Sequence, residues 1–361
     1  MLTYILRRLL LMIPTLMGMT ALVFFIMAMS PGGIGGAALA AAGGNVRGAE
    51  AARIRAYYEK RYHVNSPLLV QYGRWLNEIS PLGYREDAEG NLAKFGFKWP
   101  SLGESMERHR PVGDLIAESL PLTLLLNAIT IPLIYGLGII AGLRAASKRG
   151  GFFDSVFGAT QLAAWSLPTI WVGVMLIGFL ASNQYLKWFP AAGLNEMDAS
   201  QMPFLPHFLH GAHAGWQRGW LLDLFWHLVL PVICLGYGGS AFLTKLVRGS
   251  VLENLSADYA RTARAKGLAE KIVLYRHVFR NSLLSLITVA AAILPSMLSG
   301  SVIVESIFSI PGMGQLGVQG ARFQDREVVL AVTLIGGIIG LFSTLLRDIL
   351  YAMADPRVSY D

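Results

Sequence analysis

The chain has 361 residues, 54% of them hydrophobic and only 15% charged, with a formal charge of +7 and a mean hydropathy of +0.49. Soluble globular proteins carry roughly 25% charged residues, so this balance points to lipid as the solvent and excludes disordered, collagen-like and disulfide-scaffold classes. A nucleic-acid binder would gather its cations on a water-soluble domain, whereas here basic loops alternate with apolar runs.

A bilayer core of about 30 Å is crossed by about 20 apolar helical residues. Six stretches meet that length: 9–29, 119–143, 156–181, 222–247, 282–304 and 328–353. Arg7-Arg8, the first apolar run and Ala38-Leu39-Ala40 stand in the order of a cleavable signal peptide, but that run exceeds a signal core, which favours a retained helix. Between the first two spans, the segment 31–118 is expected to fold on the outer side. Its 49–62 stretch reads as a surface helix, and Asn65-Ser66-Pro67 reads as the cap of a second. Leu68, Leu69, Tyr72, Trp75, Leu76 and Ile79 form an apolar stripe on that second helix, for packing onto the membrane domain or onto the lipid surface.

Cations fix the expected orientation. Arg7, Arg8, Arg144, Lys148, Arg149, Lys245, Arg248, Arg261, Arg264, Lys266, Lys271, Arg276, Arg280, Arg347 and Arg357 fall on one side. The short loops opposite, 182–221 and 305–327, carry only Lys187, Arg218, Arg322 and Arg326. Both termini and the 248–281 loop are therefore expected in the cytoplasm. Trp188, Trp216, Trp220 and Trp226 near the outer ends of spans three and four agree, because indole rings favour the headgroup layer.

The spans offer mainly Asn127, Gln161, Ser and Thr in their centres, not the carboxylates or histidines of an ion-coupling relay. The single cysteine, Cys234, lies in an apolar run and reads as packing. Gly312-Met313-Gly314-Gln315-Leu316-Gly317 has dinucleotide-fingerprint spacing but follows a membrane helix, and is expected to be a tight Pro-Gly turn. His207, His210 and His213 could present imidazoles to a metal, although Gly211 and Gly215 favour plain surface histidines. No zinc-protease motif, nucleophile elbow or phosphate loop occurs, so neither an intramembrane enzyme nor a lone ATPase is expected.

The 248–281 loop is the most specific segment. Ser256 is expected to cap a short helix running through Asp258, and Gly267 to end it in the left-handed conformation. Tyr259, Ala263 and Gly267, four apart, would make a narrow face able to enter a groove on a partner, with Arg261, Arg264 and Lys266 supplying charge around it. An ordinary basic loop would explain the charge but not the alanine spacing.

The run Tyr259, Ala260, Arg261, Thr262, Ala263, Arg264, Ala265, Lys266, Gly267 and Leu268, followed by His277-Val278-Phe279-Arg280-Asn281-Ser282-Leu283-Leu284, resembles the EAA loop of permease subunits of binding-protein-dependent ABC importers, in their peptide/nickel branch. Similar to that branch are also Arg7-Arg8-Leu9, Pro31-Gly32, Pro111-Val112, Leu120-Pro121-Leu122-Thr123-Leu124, Glu305 ahead of Phe308, Pro311, Gly312 and Gly314, and the closing Asp355-Pro356-Arg357. Arg261 departs from the glutamate that names the motif, and Ser285 from a proline common in the branch. The long external segment, the Phe189-Pro190 to Asn195 stretch and the tail Asp355-Pro356-Arg357-Val358 most resemble the Yej-type subunits, linked to import of oligopeptides and the peptide-nucleotide antibiotic microcin C.

The resemblance implies an all-α membrane protein with six transmembrane helices in the type I ABC importer permease architecture, in the bacterial inner membrane. It divides the chain into residues 1–30, an external segment 31–118 and a permease core 119–361. It also implies a second homologous permease, two ATPase subunits carrying ATP and magnesium, and an external substrate-binding protein, with no cofactor in this chain. Residues 259–267 would couple to the ATPases. Glu305, where the fifth span meets the outer surface, should by its depth either pair with a cation or face a wet path, and a wet path near the outer gate is expected. A passive channel or membrane scaffold without ATP coupling is the alternative.

Overall fold

A computed structural model describes residues 2–29, 56–57, 59, 61, 66–86, 92–209, 215–283, 286 and 302–354. Four long helices among these residues are apolar enough to cross a membrane. They are α1 (Leu2–Met29), α3 (Val112–Ser147), α6 (Trp220–Leu255) and α10 (Arg326–Ala354). Each contains an expected span and runs beyond it, since helical hydrogen bonding continues after the apolar run ends. Most of the span expected at 282–304 lies outside the described residues, as do Asn65, Ser285, most of 49–62 and the Asp355-Pro356-Arg357 tail.

The third span is not the single straight helix expected over 156–181. It is a pair, α4 (Phe152–Ser166) and α5 (Thr169–Leu176) with a π-helical end at Ile177–Ala181, bent by 101°. The cause is Pro168. Its ring disfavours helical geometry at the preceding residue, and Leu167 is extended at φ −79°, ψ 133°. Pro168 itself, at φ −64°, then precedes the first turn of α5, where a missing N–H costs nothing,.

The chain divides into two compact units. The first comprises Met1–Pro121 and Gly312–Ile339, so residues 312–339 group with the amino-terminal part and not with the rest of the 119–361 stretch. Here α2 (Leu68–Ile79) packs on α1: the Tyr72 hydroxyl donates to the Met17 carbonyl at 2.7 Å and lies 2.9 Å from the Thr20 hydroxyl. Tyr72 and Trp75 are buried with Phe24, whereas Leu69 of the expected stripe is 73% exposed. Pro67 occupies the cap position without a side-chain cap bond; instead Gln71 Nε2 donates to the Ser66 carbonyl.

Two short antiparallel strand pairs follow α2 in the 31–118 segment. β1 (Leu82–Glu86) and β2 (Leu92–Phe97) form an antiparallel hairpin, and β3 (Glu104–Ser105) pairs with β4 (Arg110–Pro111). A β-carbon at Gly83 would crowd Asn77 Oδ1 on α2, so a side chain there would have to displace the amide that accepts the Tyr84 N–H. Val112, Leu115 and Ile116 bury against Met313 and Leu316 of α9 (Met313–Arg322) and Val328 of α10. The Gly312–Gly317 run therefore opens a helix, with Gly312 as its N-cap, and is not merely the turn expected.

The second unit comprises Leu122–Pro311 and Gly340–Asp361. Its α3 and α6 come close at Gly142, where a β-carbon would sit 2.6 Å from Val247 Cβ. Small residues permit such approach where lipid gives helices no hydrophobic drive to associate. Cys234 is buried in a second cluster with Leu228, Leu230 and Phe308, and its thiol points at the Thr169 carbonyl at 3.6 Å. That is the packing role expected.

Candidate functional site

The most defined surface feature is α7 (Asp258–Ala265), which leaves α6 through Ser256 and Ala257. Ser256 does not cap α7 as expected. Its hydroxyl turns back to the Glu253 carbonyl at 2.7 Å and closes α6, leaving Ala257, extended at ψ 153°, at the N-cap. Asp258 in the first turn supplies the negative charge that the positive helix end favours,. At the other end the Gly267 N–H donates to the Arg264 carbonyl at 2.9 Å and the Leu268 N–H to the Ala263 carbonyl at 3.4 Å. These are the two bonds of a Schellman closure, and Gly267 has the positive φ it requires, 76°,.

Burial assigns the faces. Ala260 is fully buried and Ala263 nearly so, in one core with Val247, Val251, Val273, Leu274 and Val278. The expected docking face of Tyr259, Ala263 and Gly267 is thus corrected: Ala263 anchors the helix to its own chain. The solvent side carries Tyr259, Arg261, Thr262, Ala265, Lys266 and Gly267. Nothing lies within 4 Å of a β-carbon built on Gly267.

The charges also divide. Arg264 is a strut, donating from Nε and Nη2 to the two Glu270 oxygens at 3.0 and 2.8 Å and from Nη1 to the Leu255 carbonyl at 3.1 Å. The hydrogen bond from Arg264 holds the Glu270 carboxyl below the usual range and raises the arginine. Arg261 has only a loose 3.5 Å pair with Asp258, both highly exposed, and such pairs contribute little to stability. Arg261 and Lys266 therefore provide the outward positive charge, on a helix already fixed by Arg264 and the two alanines.

Glu305 lies on α8 (Val302–Ile307), fully buried, and accepts the Thr123 hydroxyl at 3.0 Å. Within this chain its carboxyl group is covered, with Thr123 as a hydrogen-bond donor. His207 sits on strand β5 (His207–Leu209), paired with β6 (Gly215–Gln217), while His210 and His213 lie outside the described residues.

Two polar pairs have no counterpart in the sequence reading. Arg248 Nε and Nη2 donate to Asp154 Oδ1 and Oδ2 at 2.5 and 2.7 Å, joining α6 to the start of α4. Asp223 Oδ2 accepts the Glu196 N–H at 2.8 Å, and His227 Nδ1 lies 2.9 Å from the Asp223 main-chain carbonyl and 3.4 Å from Asp223 Oδ1. The second pair carried a legible signal, an acid and a base four apart on one helix; the first, 94 positions apart, carried none.

The arrangement is that of a multi-pass membrane subunit bearing a rigid, basic, outward helix. Residues 135–360 match the model of the binding-protein-dependent transport system inner membrane component, and residues 1–127 match that of its N-terminal region. The chain belongs to this family of membrane permeases. It is 34% identical over 361 residues to the oligopeptide transport system permease protein AppB of Bacillus subtilis, covering 100% of both chains. It is 32% identical to the inner membrane ABC transporter permease protein YejB of Escherichia coli O157:H7, covering 99% of both. The dipeptide transport system permease protein DppB of Alkalihalophilus pseudofirmus is 30% identical, with 100% of both covered.

Proposed function

We propose that the chain is one membrane half of an ATP-driven importer of peptides or peptide-like solutes. A second, homologous permease completes the path, two ATPase subunits carrying ATP and magnesium dock on α7 and its counterpart, and an external binding protein delivers the solute. Both termini and the 248–281 loop face the cytoplasm in this reading, supported by the distribution of cations. The observation that carries it is α7 itself, pinned by buried Ala260 and Ala263 and by Arg264, with its basic side exposed. A pinned helix transmits a push where a flexible loop would absorb it. Nucleotide state in the ATPases would then bias which side of the path is open, since only differential contact with two states shifts their populations. The peptide substrate class is supported by the named systems of the full-length relatives.

The test is purification of the tagged chain from its native membrane, identification of its partners by mass spectrometry, and uptake of a labelled tripeptide by the reconstituted complex. Co-purifying ATPase subunits and uptake that requires ATP are expected. Flux without ATP and without an ATPase partner would make the chain a passive channel.

A further inference from the structure

A cavity of about 730 Å³ lies between α4 and α6. Its apolar wall is made by Leu162, Trp165 and Phe242, the two aromatic rings 6.5 Å apart at centroid and tilted. Four charged side chains also line it: Asp154, Arg248, Lys245 and Glu253. Asp154 and Arg248 neutralise each other through their two hydrogen bonds. Lys245 and Glu253 remain, both exposed, and make no ion pair among the described residues.

Lys245 and Glu253 are eight residues apart on α6, hence about 12 Å along the helix axis. An extended tripeptide spans about 10 Å between its ends. Midway between the two charges is Gly249, and across the groove on α4 is Gly158; a β-carbon at either would meet nothing within 4 Å, so the floor has room for a backbone. We propose that this groove is a substrate-binding stretch of the permeation path, with Lys245 taking the carboxylate end of a short peptide and Glu253 the ammonium end. Trp165 and Phe242 would accept side chains by apolar contact, which demands no particular sequence. An anionic lipid fits less well, because the four lining charges cancel and leave no net positive field, whereas a zwitterion meets an opposite charge at each end.

This inference rests on the reading of the chain as a peptide permease, and the experiment separates the two. In the complete complex, reconstituted with its ATPases and binding protein, Gly158→Cys is introduced into a Cys234→Ala background and labelled with a soluble maleimide. Labelling is expected to slow several-fold while an unlabelled tripeptide is being transported with ATP. Lys245→Gln combined with Glu253→Gln should abolish that protection and raise the apparent KM for the tripeptide about tenfold, as loss of charge-assisted contacts requires. A labelling rate indifferent to peptide overturns the proposal. So does a Gly158→Cys thiol that is unreactive in the complex without peptide, which means that another subunit covers the groove, or one protected by added anionic phospholipid instead. If the complex with native Gly158 and Cys234 takes up no peptide with ATP, the importer reading falls and the groove assignment with it.

Discussion

Asp325 accepts the Ser105 hydroxyl at 2.6 Å across 220 positions of sequence. Asp325 is also the residue before α10, and its other oxygen lies 3.4 Å from the Val328 N–H, the third residue of the helix. One buried carboxylate thus caps a membrane helix and holds the β3 segment of the same unit. Asp325→Ala removes the cap and leaves the buried Ser105 hydroxyl without this acceptor, which should cost about 2 kcal/mol. A lowered unfolding midpoint of the purified complex is the expected reading. Asp325→Asn, which keeps an acceptor oxygen, should recover much of the loss.

The Asp154–Arg248 pair ties α4 to α6 at the groove. Asp154 is almost buried and Arg248 about one-third exposed on its side chain, so breaking the pair strands a carboxylate or a guanidinium at a poorly solvated place. Asp154→Ala and Arg248→Ala should each lower thermal stability. The reversed pair, Asp154→Arg with Arg248→Asp, should be more stable than the sum of its single changes in a double-mutant cycle. A sum without coupling would mean that the two groups contribute independently.

How legible was all this in the sequence? Long apolar runs mark α1, α3, α6 and α10 because lipid requires about 20 apolar residues per crossing. Pro168 marks the break in the third span, but length and hydropathy conceal it. Gly267 announces its own left-handed conformation. The faces of α7 are a different matter: both 259/263/267 and 260/263 are helical spacings, and only the core beneath decides that Ala260 and Ala263 turn inward. The β1–β2 hairpin is hard to foresee because its strands are five and six residues long and interrupted by Gly83 and Gly96. Thr123 with Glu305 and Asp154 with Arg248 are tertiary pairs, with no local periodicity to betray them.

Thr123→Val removes a hydroxyl that donates to the buried Glu305 carboxylate. The expected cost is about 1 kcal/mol, as for a typical buried hydrogen bond. Glu305→Gln should keep the complex assembled, since an amide oxygen still accepts the bond. Subunit stoichiometry after gel filtration checks both variants, and a Glu305→Gln variant that cannot assemble would show that the charge itself is needed.

The Arg264–Glu270 strut carries a pH dependence with a definite sign. Hydrogen bonding from Arg264 depresses the Glu270 pKa, so its contribution is complete above the ordinary glutamate value of about 4.3 and is lost as pH falls through the depressed one. Amide exchange over 264–272 should therefore show no strut-dependent change between pH 7 and pH 5. Glu270→Gln should speed exchange there at neutral pH. Equal exchange in the variant and the unmodified protein would remove the strut from the account of why α7 is rigid.

The measurement that bears most directly on α7 as the coupling element compares Gly267→Ala with Gly267→Arg in one reconstituted complex. At φ 76° any β-carbon costs on the order of 1 kcal/mol,, and the space around Gly267 is open within this chain. Both variants should therefore reach the membrane and pair with the second permease. Alanine should leave coupling nearly intact. Arginine should prop apart a close-packed contact with the ATPase, so that ATPase subunits are lost or substrate-stimulated hydrolysis and uptake fall together. Normal ATPase stoichiometry, hydrolysis and uptake in Gly267→Arg would contradict the assignment.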